Sequence, residues 1–278
     1  MHGLTTIIRL TLHEAARKRV LLAALLFGIA FVALFAIGFH FVERDLSKHA
    51  GVPLVQRRMI LDFFILAGLY AVNMLTLVTA VLLPVDTLSG EIASGVMQTV
   101  ASKPIRRETI VLGKWLAYEI LIAGYLLLLA GGVLVVARWL SGVTPPAIAR
   151  GLPLMLLEGT VLTSLCFAGG SRFTTITNGV IVFGLYGIAF IGSWVEQVGA
   201  LAGNEATRYI GTLASLVMPS EALWQLAAWH MQPSMMRDLH LTPFSPASVP
   251  STAMVAWAAA YAIVALALAV RHFTRRPL

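Results

Sequence analysis

The sequence predicts an all-α membrane protein with six transmembrane helices in a single domain over residues 1–278, and three observations predict it. The first is composition: 58% of residues are hydrophobic, 12% are charged and the mean hydropathy is +0.84, against about 45–50% apolar and about 25% charged in a soluble domain. The second is the presence of six apolar stretches, at 20–42, 60–83, 110–137, 152–170, 176–194 and 253–270, each close to the roughly 20 residues that cross about 30 Å of hydrocarbon. The third is an uneven distribution of Lys and Arg between the two sets of connections that these spans define.

Residues 4–19 open the chain with Leu4, Ile7, Ile8, Thr11, Leu12 and Ala15 at helical spacing, while Arg9, His13, Arg17 and Lys18 fall largely on the other side. That pattern predicts an amphipathic interface helix lying on the inner leaflet; a plain basic flank is the simpler alternative. The first span, 20–42, is longer than the roughly 7–15 residues of a signal-peptide core and is followed by HFVERD, so it reads as a retained helix. An even number of spans puts both termini on one side. With the termini inside, twelve of the twenty Lys and Arg are cytosolic: Arg9, Arg17, Lys18, Arg19, Lys103, Arg106, Arg107, Lys114, Arg172, Arg271, Arg275 and Arg276. The other eight are nearly balanced by outside acids, so the positive-inside rule favours cytosolic termini.

The outside connection 195–250 is long. Pro219 and Ser220 mark a helix start, with Glu221 complementing the dipole of the helix ALWQLAAW, and Trp224 and Trp229 suit a membrane interface. Pro233, Pro243, Pro246 and Pro250 preclude a continuous helix, so the segment reads as broken, re-entrant extracytoplasmic helices with an irregular linker. His230, Met231, Met235, Met236 and His240 are soft and borderline ligands for Cu(I), although methionine more commonly fills gaps on such a helix.

The sequence lacks a phosphate loop: its only Gly-Lys pair, Gly113 and Lys114, is followed by Trp115. It also lacks HExxH, GxSxG and EF-hand patterns. An enzymatic role is therefore not expected, no metal or cofactor site is expected in the chain, and any nucleotide energy must come from a partner. Ionisable groups inside spans are costly and mark function. Glu158, midway along the fourth span, is the candidate for lining a translocation path, with a hydrogen-bonded packing acid as the alternative. Glu119 is expected to pair with Lys114 or a neighbouring loop, Asn73 to join helices, and Cys166, the single cysteine, to pack.

Between the second and third spans lies DTLSGEIASGVMQTVASKPIRRETIVLGK, from Asp86 to Lys114, polar, Gly-punctuated and basic-ended. Its residues Ser89, Gly90, Glu91, Ala93, Ser94, Gly95, Val96 and Met97, then Lys103, Pro104, Ile105, Arg106 and Arg107, then Leu112, Gly113 and Lys114, resemble the coupling region of the membrane-spanning subunits of ABC type-2 exporters. Those permeases show an acidic E-x-x-x-G turn, a short Pro-basic motif and a Gly-Lys helix start. Here Gly90 precedes Glu91 and Val96 follows Gly95, where family members usually carry Arg-Glu or Glu-Glu and Gly-Thr. The resemblance covers the whole chain. It implies a cytosolic coupling helix within residues 86–109, a partner ATPase subunit that binds ATP and Mg, and a complex of two permeases, identical or different, with two ATPases. The setting it implies is the cytoplasmic membrane of a prokaryote, with membrane lipid but no nucleic acid as a further partner.

Physical logic assigns roles within the stretch. Val96 and Met97 supply apolar anchors for a groove on the partner, Glu91 a charge, and Arg106 and Arg107 a contact to a partner acid or to lipid phosphate. Gly95 provides the turn, and Pro104 a hinge that passes movement to the third span. The expected function is thus export by alternating access driven by ATP hydrolysis on a separate subunit. A non-transporting anchor or mechanotransmitter is the alternative, and an ion-coupled carrier ranks behind both because only Glu158 lies deep in a span.

Overall fold

A computed structural model describes residues 2–48, 53–95, 106–201, 203, 205–238 and 248–275. Among them every regular element is a helix: α1 (His2–Arg17), α2 (Arg19–Lys48), α3 (Leu54–Leu82), α4 (Thr87–Ala93), α5 (Arg107–Ser141), α6 (Ile148–Gly170), α7 (Thr175–Leu201), α8 (Glu205–Val217), α9 (Ser220–Met231), α10 (Ser234–Asp238) and α11 (Thr252–Arg275). Six of these segments are long and apolar enough to cross a membrane: α2, α3 running on through α4, α5, α6, α7 and α11. Each overlaps one expected stretch and most extend past it. α5, for example, covers 107–141 rather than 110–137. Hydropathy detects only the hydrocarbon-crossing part, whereas backbone hydrogen bonding carries a helix on through charged turns. α6 begins four residues before the expected 152 because Pro153 is accommodated in its second turn.

The packed centre is α3, α5 and α6, with α11 laid along α6 and α2 leaning on α3 and α5. Glycines set the closest approaches. A Cβ on Gly28 would lie 2.7 Å from Leu129 Cδ2, one on Gly68 2.5 Å from the Phe35 ring, and one on Gly132 2.9 Å from Val32. Small residues allow helices without a hydrophobic driving force between them to gain dispersion contact. α2 remains mostly exposed, burying only Leu21, Gly28 and Phe39. α7 is covered chiefly by α8, which packs back along it.

α1 contacts α5 near that helix's first turns, and Arg107 Nη1 donates to the Thr274 carbonyl at 3.4 Å. Both ends of the chain therefore meet the start of α5 at one end of the bundle, the terminal end. The opposite end holds the α5–α6 connection with α9 and α10.

The region between α7 and α11 is broken as expected: α8 stops at Val217, and α9 starts at Ser220. Trp224 departs from its expected interface position. It is 2% exposed and tilts against Tyr70 with ring centroids 5.2 Å apart, because α9 packs into the bundle against α6 and α7. Trp229 is half-buried. Cys166 is buried and free, its thiol 3.8 Å from the Val81 carbonyl, as a packing residue should be.

Candidate coupling site

At the terminal end, the Asp86–Lys114 stretch divides in two. Residues 96–105, which include Val96, Met97, Lys103 and Pro104, lie outside the described residues. The part before them is short and well anchored. α4 follows α3 after one tight turn, and Thr87, Leu88 and Ser89 are buried. Gly95 adopts φ +74, the left-handed conformation that ends a helix at least cost without a Cβ. A side chain there would meet open space, so backbone conformation alone favours glycine.

Ionic and hydroxyl contacts hold α4 against three neighbours. Lys114, about two turns into α5 and 5% exposed, donates to Glu91 at 2.5 Å and stands 3.9 Å from Glu14 of α1. Lys18, just after α1, donates to Asp86 at 2.7 Å and reaches Tyr118 Oη at 3.4 Å. Thr87 in turn donates to Tyr118 at 2.6 Å. On the far flank Ser89 and Thr175 share a 2.8 Å hydroxyl contact, and Asn178 donates to the Cys166 carbonyl at 2.8 Å and the Val85 carbonyl at 3.3 Å. Burial lowers the Lys18 pKa, but Tyr118 and Asp86 raise it more, and the net shift is upward.

The Gly-Lys pair that opens this part of α5 thereby gains a physical reason. Gly113 lets α1 lie flat on α5: a Cβ there would stand 2.7 Å from Ile7 Cγ2. Ile7, Thr11 and Ala15, one face of α1, are buried. The apolar face expected to meet lipid thus meets α5 in part, while Leu10 stays 52% exposed. Lys114, next in sequence, can turn into the α1–α4–α5 junction because α1 roofs it.

Of the residues assigned to partner coupling, Glu91 is committed to Lys114 within the chain, its side chain 22% exposed. Arg106 is exposed and extended before α5, and Arg107 reaches Thr274 of α11. Glu119 does not pair with Lys114. It lies further along α5 and accepts a 2.7 Å hydrogen bond from Thr160. Glu158 is 0% exposed and accepts from Asn73 Nδ2 at 2.9 Å, joining α3 to α6. In this conformation it is sealed from solvent, so its visible role is the helix-pairing one and Asn73 is its partner.

The remaining participants, Glu14, Lys18, Asp86, Thr87 and Tyr118, were not singled out from sequence. The spacing of Glu14 and Lys18, four apart on one helical face, was the available signal, but it points to a pair with each other rather than to two separate partners. Among the described residues no group of three or more His, Cys, Asp or Glu is arranged to hold a metal ion. His230 instead faces a cavity shared with Arg58, Arg150 and Arg237, while Met231 is buried against Gly151. His240 lies outside the described residues.

The family model described as an ABC-2 family transporter protein matches residues 6–278. No curated protein matches the chain.

Proposed function

The chain belongs to the ABC-2 family and is a transmembrane transporter subunit, and from that premise we propose that it is the permease of an ATP-driven exporter whose nucleotide is hydrolysed by a separate subunit. Two permeases and two ATPases form the complex, ATP and Mg bind the ATPases, and the terminal end of the bundle faces the cytosol of a prokaryotic cell. The basic residues at that end, Arg9, Arg17, Arg19, Arg106, Arg172, Arg271 and Arg275 among them, support that orientation. On the other side α8 to α10 form the re-entrant element.

The observation that carries the coupling part is the Lys114 junction. The ATPase docks on residues 96–105 through Val96 and Met97, flanked by Gly95, Arg106 and Arg107. Displacement there reaches α4 at one end and α5 at the other, and Glu91–Lys114–Glu14 ties both to α1. Glu91 thus acts in coupling by transmitting movement rather than by touching the partner, and α1, α4 and α5 move as one lever. A sealed Glu158 becomes part of a path only if α3 and α6 separate during the cycle.

The test is co-purification with a candidate ATP-binding subunit, followed by ATPase assays of the reconstituted complex. Met97→Asp is expected to reduce the recovered ATPase subunit. Glu91→Gln is expected to leave it bound while lowering transport-linked ATPase activity. If Met97→Asp leaves assembly intact, the docking position is wrong; full coupling in Glu91→Gln would sink the lever.

A further inference from the structure

At the end of the bundle opposite the chain termini, a cavity of about 570 Å³ is lined by Arg58 of α3, Arg150 of α6, His230 of α9 and Arg237 of α10, with Pro145 and Pro146 in its wall. Its size falls within the roughly 300–1,000 Å³ of small-ligand sites. Local structure brings the four together. Pro145 and Pro146 keep the α5–α6 connection out of helix, and Ala147, at φ 45, turns the chain so that α6 starts at the cavity. Gly151 lets Met231 pack at a distance no Cβ would tolerate, 2.5 Å from its sulfur. That contact fixes α6 on α9, and the residues immediately before each, Arg150 and His230, meet at the cavity. Arg237 is held over the Trp229 ring at 5.2 Å.

The charge is unbalanced. Among the described residues Arg58 has an ion pair with Asp62, at 3.7 Å, whereas Arg150 and Arg237 have none. His230 is pushed down by burial and by the neighbouring Arg150 and Arg237 charges. Cations converging on one concave surface repel one another and focus a positive potential into it. The same repulsion disfavours a cation beside His230. A planar guanidinium fork binds phosphate in two parallel hydrogen bonds, and three such forks from separate helices surround a tetrahedral oxyanion better than a planar one.

We propose that this cavity is a binding site for a phosphate group, gripped by Arg150 and Arg237 with Arg58 at its mouth. The same chemistry is offered by a phospholipid headgroup at the membrane surface and by a soluble phosphate ester. The site stands whichever face of the membrane this end meets.

The experiment uses the full chain in maltoside micelles, which carry no phosphate, and in nanodiscs, reading tryptophan emission with Trp229→Phe as the control for signal origin. In the micelles, inorganic pyrophosphate is expected to produce a saturable change that Trp229→Phe lacks, and Arg150→Gln with Arg237→Gln is expected to weaken it about tenfold or more. Arg150→Lys, which keeps the charge but not the fork, should bind between wild type and the glutamine variant, and its residual binding guards against misfolding of the latter. In discs of equimolar phosphatidylglycerol and phosphatidylcholine, loss of the pyrophosphate response identifies the lipid headgroup as the occupant. An unchanged response there identifies a soluble phosphate. No saturable change in the micelles, or equal affinity in the glutamine variant, overturns the site.

Discussion

Two basic clusters at opposite ends of this bundle use arginine and lysine in opposite ways, although the far end also holds an Arg57–Glu43 pair at 2.7 Å. At the terminal end, Lys114 and Lys18 each have a carboxylate within 2.7 Å, supplied by a different helix or linker. At the other end, Arg150 and Arg237 share a cavity with Arg58 and His230, and among the described residues the Trp229 ring is the nearest thing to a partner that Arg237 has. The paired end is a structural joint: removing Lys114 leaves Glu91, mostly buried, without its counter-charge. The unpaired end is under its own repulsion, and removing a cation relieves the fold rather than harming it. Charge by itself therefore does not distinguish fastening from binding; the presence of a counter-charge does.

The sharpest way to break that comparison is Lys114→Met. Because Lys114 is 5% exposed and its loss leaves Glu91 uncompensated, unfolding in detergent should show a loss of about 3 kcal/mol, the lower end for broken buried pairs since Glu91 keeps some solvent. Lys114→Met combined with Glu91→Gln should recover much of it. Strict additivity of the two single changes would show that the pair is not a unit.

Gly113→Ala tests the joint from its steric side. The added methyl collides with Ile7, and a loss of about 1–3 kcal/mol is expected, with protease cleavage in α1 becoming faster. Ile7→Ala in the same chain should restore part of the stability. Protection of α1 that is unchanged in Gly113→Ala would mean the two helices are not held as close as described.

Lys18→Met should cost less, about 0–1 kcal/mol, because its pair with Asp86 is 29% and 48% exposed. The sign of its pH dependence follows from the upward shift of Lys18. Its contribution is fully present below the unfolded value of about 10.4 and is lost only as pH rises through the folded one. Wild type and variant should thus differ by a constant amount from neutral to mildly alkaline pH and converge above it. Thermal melts across that range check this.

The smallest effect belongs to the unpaired end. Arg150→Gln in buffer without phosphate should alter stability by no more than about 0.5 kcal/mol. A large loss there would mean that Arg150 fastens the fold after all and would erase the contrast between the ends.

Much of the architecture was legible before any coordinates. Six spans, the break before Ser220, the buried Cys166 and the Asn73 bridge all follow from hydropathy, proline placement and the expense of polar groups in hydrocarbon. Individual partners were less legible. Glu119 reads as a neighbour of Lys114 because the two are five apart in sequence, yet they sit on different faces of α5, and Thr160 on α6 is what Glu119 meets. Trp224 reads as an interface anchor because tryptophan favours that depth, but α9 turns it into the bundle against Tyr70.

What the sequence by itself determined is the periodic and compositional part: which segments are helical and apolar, where they stop, and that a Gly-punctuated polar stretch interrupts them. These depend on interactions within a few residues or on transfer of a segment from water, so a linear reading captures them. Only the tertiary structure decided that Lys114 takes Glu91 and that Arg58, Arg150 and Arg237 converge. The partners in those groups are between 23 and 179 positions apart, and their meeting depends on which helix faces lock together at Gly113 and Gly151.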